Sequence, residues 1–129
     1  MHTHIAQRHF ALYGASHGAE PESDLELYLC TRALDYGGLA IKVAGYGMPD
    51  RLLINLSPPV FVELKRRGAL PAEHQVGMMR CLRDRGFPAF WLNTRAEIDG
   101  LFRASLAGEL IDDETGRVLS WPLKFGGPW

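Results

Sequence analysis

The chain has 129 residues, 47% of them apolar and 22% charged, and its net charge is -1. This length suits one domain with a single core, and the balanced charge excludes a strongly acidic or basic protein. No apolar run approaches the ~20 residues that span a bilayer, and two cysteines are too few for a disulfide framework. We therefore expect a soluble domain in a reducing cytoplasm, with no membrane partner and with Cys30 and Cys81 as buried thiols.

The first half of the chain is predicted to form one helix and three strands. Residues 1–21 have little pattern and are predicted to be a weakly ordered arm. Residues 23–35 are predicted to be a helix, because Ser23 and Glu26 match a capping box and a glycine pair follows the helical pattern. The three predicted strands are LAIKVA (39–44), RLLINL (51–56) and VFVELK (60–65).

The second half is predicted to form a helix, a strand and a helix. These elements are residues 71–85, the strand AFWLN (89–93), and a helix that opens with Thr94 and Glu97 and ends near Leu106. Residues 107–129 are a C-terminal extension that could form a small hairpin around 112–116. The order αβββαβα predicts an α/β domain over residues 22–106, with a mixed central sheet flanked by helices.

Charged residues on neighbouring apolar strands indicate a site. Alternation along the third strand places Phe61, Glu63 and Lys65 on one face. Asp50 opens the preceding strand and would lie near Glu63 if the two strands pair. Two close carboxylates repel each other unless a cation relieves them, and Mg²⁺ prefers such oxygen ligands. Lys65 would then lie beside the metal, where it could orient or deprotonate an attacking water.

Two further polar residues have both a structural and a functional interpretation. Glu26 shares a helical stripe with Leu29, so it is either the capping-box residue or a third carboxylate of the site. Gln75 lies one turn into the second helix, either as a boundary polar residue or as an amide that reaches the site. The adjacent His74 points roughly 100° away from Gln75 around the helix, so we leave it out of the site.

The order of these motifs resembles the PD-(D/E)xK nuclease superfamily. The motifs are a glutamate-bearing helix, GYGMPD (45–50), VFVELKRRGAL (60–70), a helix with Gln75, and RGFPAFWLN (85–93). Within that superfamily they are similar to the VRR-NUC (virus-type replication-repair nuclease) family, in its short stand-alone form from phages and prophages.

The resemblance implies a restriction-endonuclease-like core with a defined set of site residues. Mg²⁺ or Mn²⁺ would be bound by the side chains of Glu26, Asp50 and Glu63 and by the backbone carbonyl of Leu64. Lys65 would be the catalytic lysine, and Gln75 would match the family glutamine on the following helix. Glu22 is close to Glu26 in sequence, and Glu26 is preferred because it lies on the inward stripe.

The function that the resemblance implies is a homodimeric DNA endonuclease for branched DNA such as four-way (Holliday) junctions, as in DNA repair. The enzyme would act in the cytoplasm of a bacterial or phage-infected cell, without an organic cofactor. The segment 63–85 carries six basic and three acidic residues. It would supply the phosphate contacts, from Arg66, Arg67, Arg80 and Arg83. The alternatives are a flap nuclease or exonuclease with the same site, and a non-catalytic DNA-binding or assembly module.

Overall fold

The structure is a computed structural model, and it describes residues 20–118. Three helices and four strands lie in this part of the chain. In chain order they are α1 (Glu22–Asp35), β1 (Leu39–Lys42), β2 (Arg51–Ile54), β3 (Val60–Leu64), α2 (Glu73–Asp84), β4 (Ala89–Leu92) and α3 (Arg95–Leu106). None of these helices is long and apolar enough to cross a membrane.

The four strands form one mixed sheet in the order β1-β2-β3-β4. β1 pairs antiparallel with β2, and β2 pairs antiparallel with β3. β3 pairs parallel with β4, as a strand pair joined by a helical crossover must. The predicted mixed α/β sheet is therefore confirmed, while each strand ends one or two residues earlier than predicted. β2 ends before Asn55, whose φ of 66° is incompatible with an extended strand.

The two faces of the sheet bury different sets of side chains. Val60, Val62 and Leu64 of β3 point into the main core, which also contains buried residues of α1 and α3. Phe61 points to the other face, in a smaller apolar cluster with Met79 of α2 and Trp91. The alternation predicted for β3 is confirmed, and it puts Glu63 on the side of the sheet that α2 covers.

The predicted capping box of the first helix is wrong. α1 begins at Glu22, after Pro21, and no side chain caps its N-terminus. The Pro21 carbonyl instead accepts hydrogen bonds from the N–H groups of Asp24 and Leu25, at 3.1 and 3.2 Å. The Glu26 side chain is therefore free to bond elsewhere. The second predicted capping box is confirmed, because Glu97 N–H donates to Thr94 Oγ1 at 3.1 Å and Glu97 Oε1 accepts from Thr94 N–H at 3.1 Å.

The predicted burial of both cysteines is also wrong. Cys81 is exposed on α2 and Cys30 is half-buried on α1. The buried face of α1 is formed by other residues, namely Leu25, Tyr28, Leu29 and Ala33. Cys30 lies at the margin of that face, where partial burial raises the pKa of its thiol.

The structure describes only part of the predicted N-terminal arm and of the predicted C-terminal extension. Of the predicted N-terminal arm, residues 1–19 lie outside the described residues. In the C-terminal extension, Leu110 is buried in the main core, and Ile111 pairs with Val118 in an isolated antiparallel bridge. Residues 107–118 therefore pack on the domain, and their bridge encloses the turn predicted around 112–116. Residues 119–129 lie outside the described part of the chain.

Two glycines are expected to respond in opposite ways to substitution by alanine. At Gly38, between α1 and β1, a Cβ would lie 2.5 Å from the carbonyl oxygen of Ile54. We expect Gly38→Ala to lower the free energy of unfolding by about 1–3 kcal/mol, because the backbone must move to relieve the overlap. At Gly77, inside α2, a Cβ meets no atom within 4 Å. Gly77→Ala should raise stability by about 0.5–1 kcal/mol through helix propensity. Urea unfolding of both variants measures the difference, and equal effects would contradict the close approach at Gly38.

Candidate functional site

Asp50 lies at the point where the ends of three strands meet. It directly precedes β2, and its carbonyl accepts a hydrogen bond from Val43 N–H, just after β1, at 3.1 Å. Its side-chain Oδ2 accepts from the N–H of Leu64, the last residue of β3, at 2.9 Å. The sequence prediction that strand pairing would bring Asp50 beside the Glu63 segment is confirmed. One carboxylate oxygen, Oδ1, is left for other contacts.

Glu63 is a buried carboxylate, only 2% exposed, on the side of the sheet covered by α2. Its Oε2 accepts a hydrogen bond from Gln75 Nε2 at 3.0 Å and lies 3.3 Å from Lys65 Nζ. Gln75 is itself fixed, because its Oε1 accepts from Ala72 N–H at 2.8 Å. The other oxygen, Glu63 Oε1, is buried without a hydrogen-bond partner among the described residues. A buried carboxylate oxygen without a partner is costly, and a proton, a water or a cation at Oε1 would relieve that cost.

The environment of Glu63 disfavours its charged form. Burial is the largest cause that raises the pKa of Glu63, and the nearby charge of Asp50 also raises it. The Lys65 ammonium and the backbone N–H of Asp50 oppose these two effects, and the resulting pKa is about 7, against an ordinary value of 4.5. Two carboxylates in one poorly solvated region behave in this way when no cation neutralises them. Glu63 is thus poised to lose its proton when positive charge arrives.

A second group of candidate residues lines an open cavity of about 290 Å³ on the other side of Asp50. The residues that line it are Glu22, Ser23, Glu26, Lys42, Asp50 and Leu64. Three of the four predicted metal ligands are among them, and Glu22 and Glu26 face the same space. Lys42 was not among the predicted site residues, although the K-V strand at 42–43 is one of the features of the resemblance. Its register opposite Arg51 in the β1–β2 pair brings it to this end of the sheet.

An arginine that the sequence reasoning missed holds Glu26. Arg51 Nε lies 3.0 Å from Glu26 Oε2, and Arg51 Nη1 donates to the carbonyl of Ala40 at 3.1 Å. In residues 20–118, no group of three or more His, Cys, Asp or Glu residues is arranged to hold a metal ion. The candidate site therefore has two halves that share Asp50: Glu63 with Lys65 and Gln75, and the cavity with Glu26.

The donor set of this site fits a hard divalent cation. Asp50 Oδ1 and the unpartnered Glu63 Oε1 are carboxylate oxygens, the ligands that Mg²⁺ and Mn²⁺ prefer. Mg²⁺ commonly binds to one or two carboxylates and keeps several waters, so a cation between Asp50 and Glu63 would complete its coordination with water. Glu26 is bonded to Arg51 through Oε2, so it would offer the cation its other oxygen, Oε1.

The four arginines predicted to contact phosphate lie in two places. Arg66 and Arg67 are exposed and follow Lys65 directly, and Arg80 is exposed on α2. Arg83 is half-buried, with its guanidinium 5.0 Å from the centre of the Phe90 ring, and burial lowers its pKa. Arg83 lines a separate cavity with Arg85 and Arg117 at the far end of α2. Only Arg66 and Arg67 are next to the candidate site in sequence.

No protein-family model matches the chain, and no curated protein matches it. The resemblance to VRR-NUC nucleases therefore depends on the motifs quoted above. The function is inferred below from the chemistry of the residues around Asp50 and Glu63.

Proposed function

We propose that this chain is a metal-dependent, structure-selective DNA endonuclease with a PD-(D/E)xK core. Its substrate would be branched DNA such as a four-way junction, and its cofactor Mg²⁺ or Mn²⁺. The observation that carries the proposal is the buried, unpartnered oxygen of Glu63 next to Asp50 and Lys65. A lysine and two carboxylates at the ends of adjacent strands are the groups that phosphodiester hydrolysis needs.

The cation would be held by Asp50 and Glu63, with the carbonyl of Leu64 and the carboxylate of Glu26 as further ligands. When bound, it supplies positive charge that stabilises a pentavalent phosphate and lowers the pKa of water. The chain itself fixes these ligands. The Leu64 N–H orients Asp50, and the amide of Gln75 orients Glu63.

Lys65 is suited to act on the substrate directly. Its side chain is 19% exposed, so the ammonium group borders solvent while it contacts Glu63. There it can donate a hydrogen bond to a non-bridging phosphate oxygen or orient the attacking water. Arg66 and Arg67, which follow it, would bind the flanking phosphates.

A non-catalytic DNA-binding or assembly module is the second candidate function. The ion pair between Arg51 and Glu26 favours it, because a paired carboxylate is a poor metal ligand. The first candidate predicts that the chain cleaves DNA with Asp50 and Glu63 as its two carboxylate ligands. The second predicts that the chain binds DNA without cleaving it. A flap nuclease or exonuclease would use the same residues and would differ in the length of its products.

A second copy of the chain would complete the proposed enzyme, since paired cuts across a junction need two sites related by a two-fold axis. Within residues 20–118 the outer edge of β1 pairs with no other strand, and a second copy could pack on this surface. β1 is the outer strand of the sheet and exposes Leu39 and Ile41, and α1 beside it exposes Leu27 and Leu34. Light scattering should give twice the chain mass, and a monomer at micromolar concentration would remove the homodimer from the proposal.

The proposal is tested by cleavage of a labelled four-way junction, a 5′ flap and a plain duplex, with Mg²⁺ or Mn²⁺ against EDTA. We expect paired nicks near the junction centre that require metal. Asp50→Asn should abolish them, because an amide keeps the hydrogen bond from Leu64 but loses the negative charge that binds metal.

The matched control for this variant is Asp113→Asn, at an exposed aspartate in the described part of the C-terminal extension. It should cleave at the parent rate. Cleavage of the flap alone would keep the nuclease and change its substrate. A folded parent protein that binds junctions and cuts no substrate would favour the non-catalytic module.

A further inference from the structure

An exposed aromatic side chain lies on the loop that leads into the candidate site. Tyr46 belongs to the loop of residues 45–50, called here the glycine loop, and is 82% exposed. Its ring stacks on the imidazole of His74 in α2, with 4.4 Å between the ring centres and 15° between the planes. One face of the tyrosine ring is thus supported by His74, and the opposite face is open to solvent.

The glycine loop is held against α2, so the position of the stack is fixed. Gly47 has φ +74°, and a Cβ at this position would lie 3.1 Å from the carbonyl oxygen of His74. Met48 N–H donates to the Gly45 carbonyl at 3.2 Å and closes the turn. A glycine is needed at position 47 for both the backbone angle and the close approach. Tyr46 is therefore presented by a defined turn.

The stacked pair is connected to both catalytic carboxylates. Tyr46 precedes Asp50 by four residues, a separation of at most about 14 Å along the chain. His74 directly precedes Gln75, which donates its hydrogen bond to Glu63. The backbone of this aromatic pair thus lies within about 14 Å of Asp50 on one side and directly adjoins Gln75 on the other.

We propose that the Tyr46–His74 pair is a stacking platform for an unpaired nucleobase of the DNA strand that the site cleaves. This inference rests on the proposed nuclease function and names how the enzyme would select its substrate. A flat, exposed ring supported from behind binds another flat π-face, and every nucleobase offers one. In a continuous duplex both faces of each base are already covered by its neighbours. A branch point or single strand leaves a base face uncovered, so the platform favours such DNA over plain duplex.

The test measures DNA binding in EDTA, so that it does not depend on catalysis. The probe is a fluorescein-labelled oligothymidylate, and a second oligonucleotide with 2-aminopurine reports stacking through loss of its fluorescence. Tyr46→Ala should weaken binding of the single strand roughly five- to hundredfold and should remove the quenching. Tyr46→Phe keeps the ring and should bind like the parent. Phe87→Ala is the matched control, because Phe87 is an exposed aromatic residue after the opposite end of α2.

A second pair of variants tests the geometry of the platform. Gly47→Ala and Gly68→Ala both add a Cβ at a positive φ, but only at Gly47 does the Cβ meet His74. Gly47→Ala should reduce the quenching of 2-aminopurine, whereas Gly68→Ala should leave it unchanged. The pair thus separates displacement of the platform from backbone strain alone.

The outcomes distinguish this inference from the proposed function. If Tyr46→Ala binds and quenches like the parent, or if the parent does not bind the single strand, the stacking platform is wrong, even when the parent cuts DNA. If the parent binds and quenches through Tyr46 but never cuts with Mg²⁺ or Mn²⁺, the platform stands and the nuclease function fails.

Discussion

Replacement of Lys65 by alanine is expected to reduce the turnover of junction cleavage by about 10²–10⁴-fold, the usual contribution of a positioned proton donor or acceptor. The fold should survive, because the backbone N–H of Lys65 still donates to the carbonyl of Leu92 at 3.0 Å. Junction binding in EDTA should also persist, since Arg66 and Arg67 remain. Single-turnover cleavage at saturating enzyme isolates the chemical step from any change in affinity.

Two control variants make this result specific. Arg103→Ala removes one positive charge from the exposed surface of α3 and should cleave at the parent rate. Lys42→Ala removes the other lysine near Asp50, which lines the cavity with Glu26. If Lys42→Ala loses cleavage while Lys65→Ala keeps it, the catalytic lysine has been assigned to the wrong half of the site. Loss of both folding and DNA binding in Lys65→Ala would indicate a structural lysine.

The sequence predicted the Glu63 half of the site because that half depends on local periodicity. Alternation along β3 put Glu63 and Lys65 on one face, and the turn at residues 57–59 predicted that β2 and β3 pair as a hairpin. Helical spacing placed Gln75 on a stripe with Met79 but left its role open, and the role at the site came from the resemblance. Each inference needed only the period of one element and the pairing of two neighbours in the chain.

The Glu26 half could not be predicted in this way. Whether Glu26 bonds to Arg51 or faces a metal depends on how α1 is rotated against the sheet. Arg51 is 25 residues away from Glu26 in sequence, so no local pattern reports this rotation. A local signal also competed, because Ser23 and Glu26 have capping-box spacing. Pro21 starts the helix earlier and leaves that box unformed.

The contact between Tyr46 and His74 was missed for a similar reason. The helical angle correctly separated His74 from Gln75, but the conformation of the glycine loop follows from its contact with α2 and not from a repeating pattern. The composition of the loop could have suggested a fixed turn, because Gly45, Gly47 and Pro49 lie at alternate positions around Tyr46 and directly precede Asp50.

Replacement of Glu63 by glutamine is expected to stabilise the metal-free protein at pH 8 while it abolishes metal binding. The folded chain keeps the Glu63 proton up to pH about 7, whereas the unfolded chain releases it near pH 4.5. Between these values the folded state binds more protons, so the free energy of unfolding of the parent falls as the pH rises. Above pH 7 the full penalty is present, and the pKa shift corresponds to roughly 3 kcal/mol.

Glu63→Gln removes this penalty because glutamine has no charge to bury. We expect the variant to exceed the parent in stability by up to roughly 3 kcal/mol at pH 8, or on the order of 10 °C in Tm, and to match it near pH 4.5. Glu109→Gln, at an exposed glutamate after α3, is the control and should follow the parent at every pH. Thermal unfolding between pH 4.5 and 8, monitored by circular dichroism in EDTA, measures the three proteins.

Addition of Mn²⁺ should reverse the order of stability at pH 8. A ligand at 1,000 times its Kd stabilises the folded state by about 4.1 kcal/mol, more than the roughly 3 kcal/mol advantage of the variant, and only the parent retains the carboxylate that binds it. Metal affinity of the parent should also rise with pH up to about 7, since Glu63 must lose its proton before it coordinates. A Glu63→Gln variant that is less stable than the parent at pH 8 would indicate that the ion pair with Lys65 stabilises the fold. Glu63 would then be a structural residue, and the buried oxygen would no longer support a metal site.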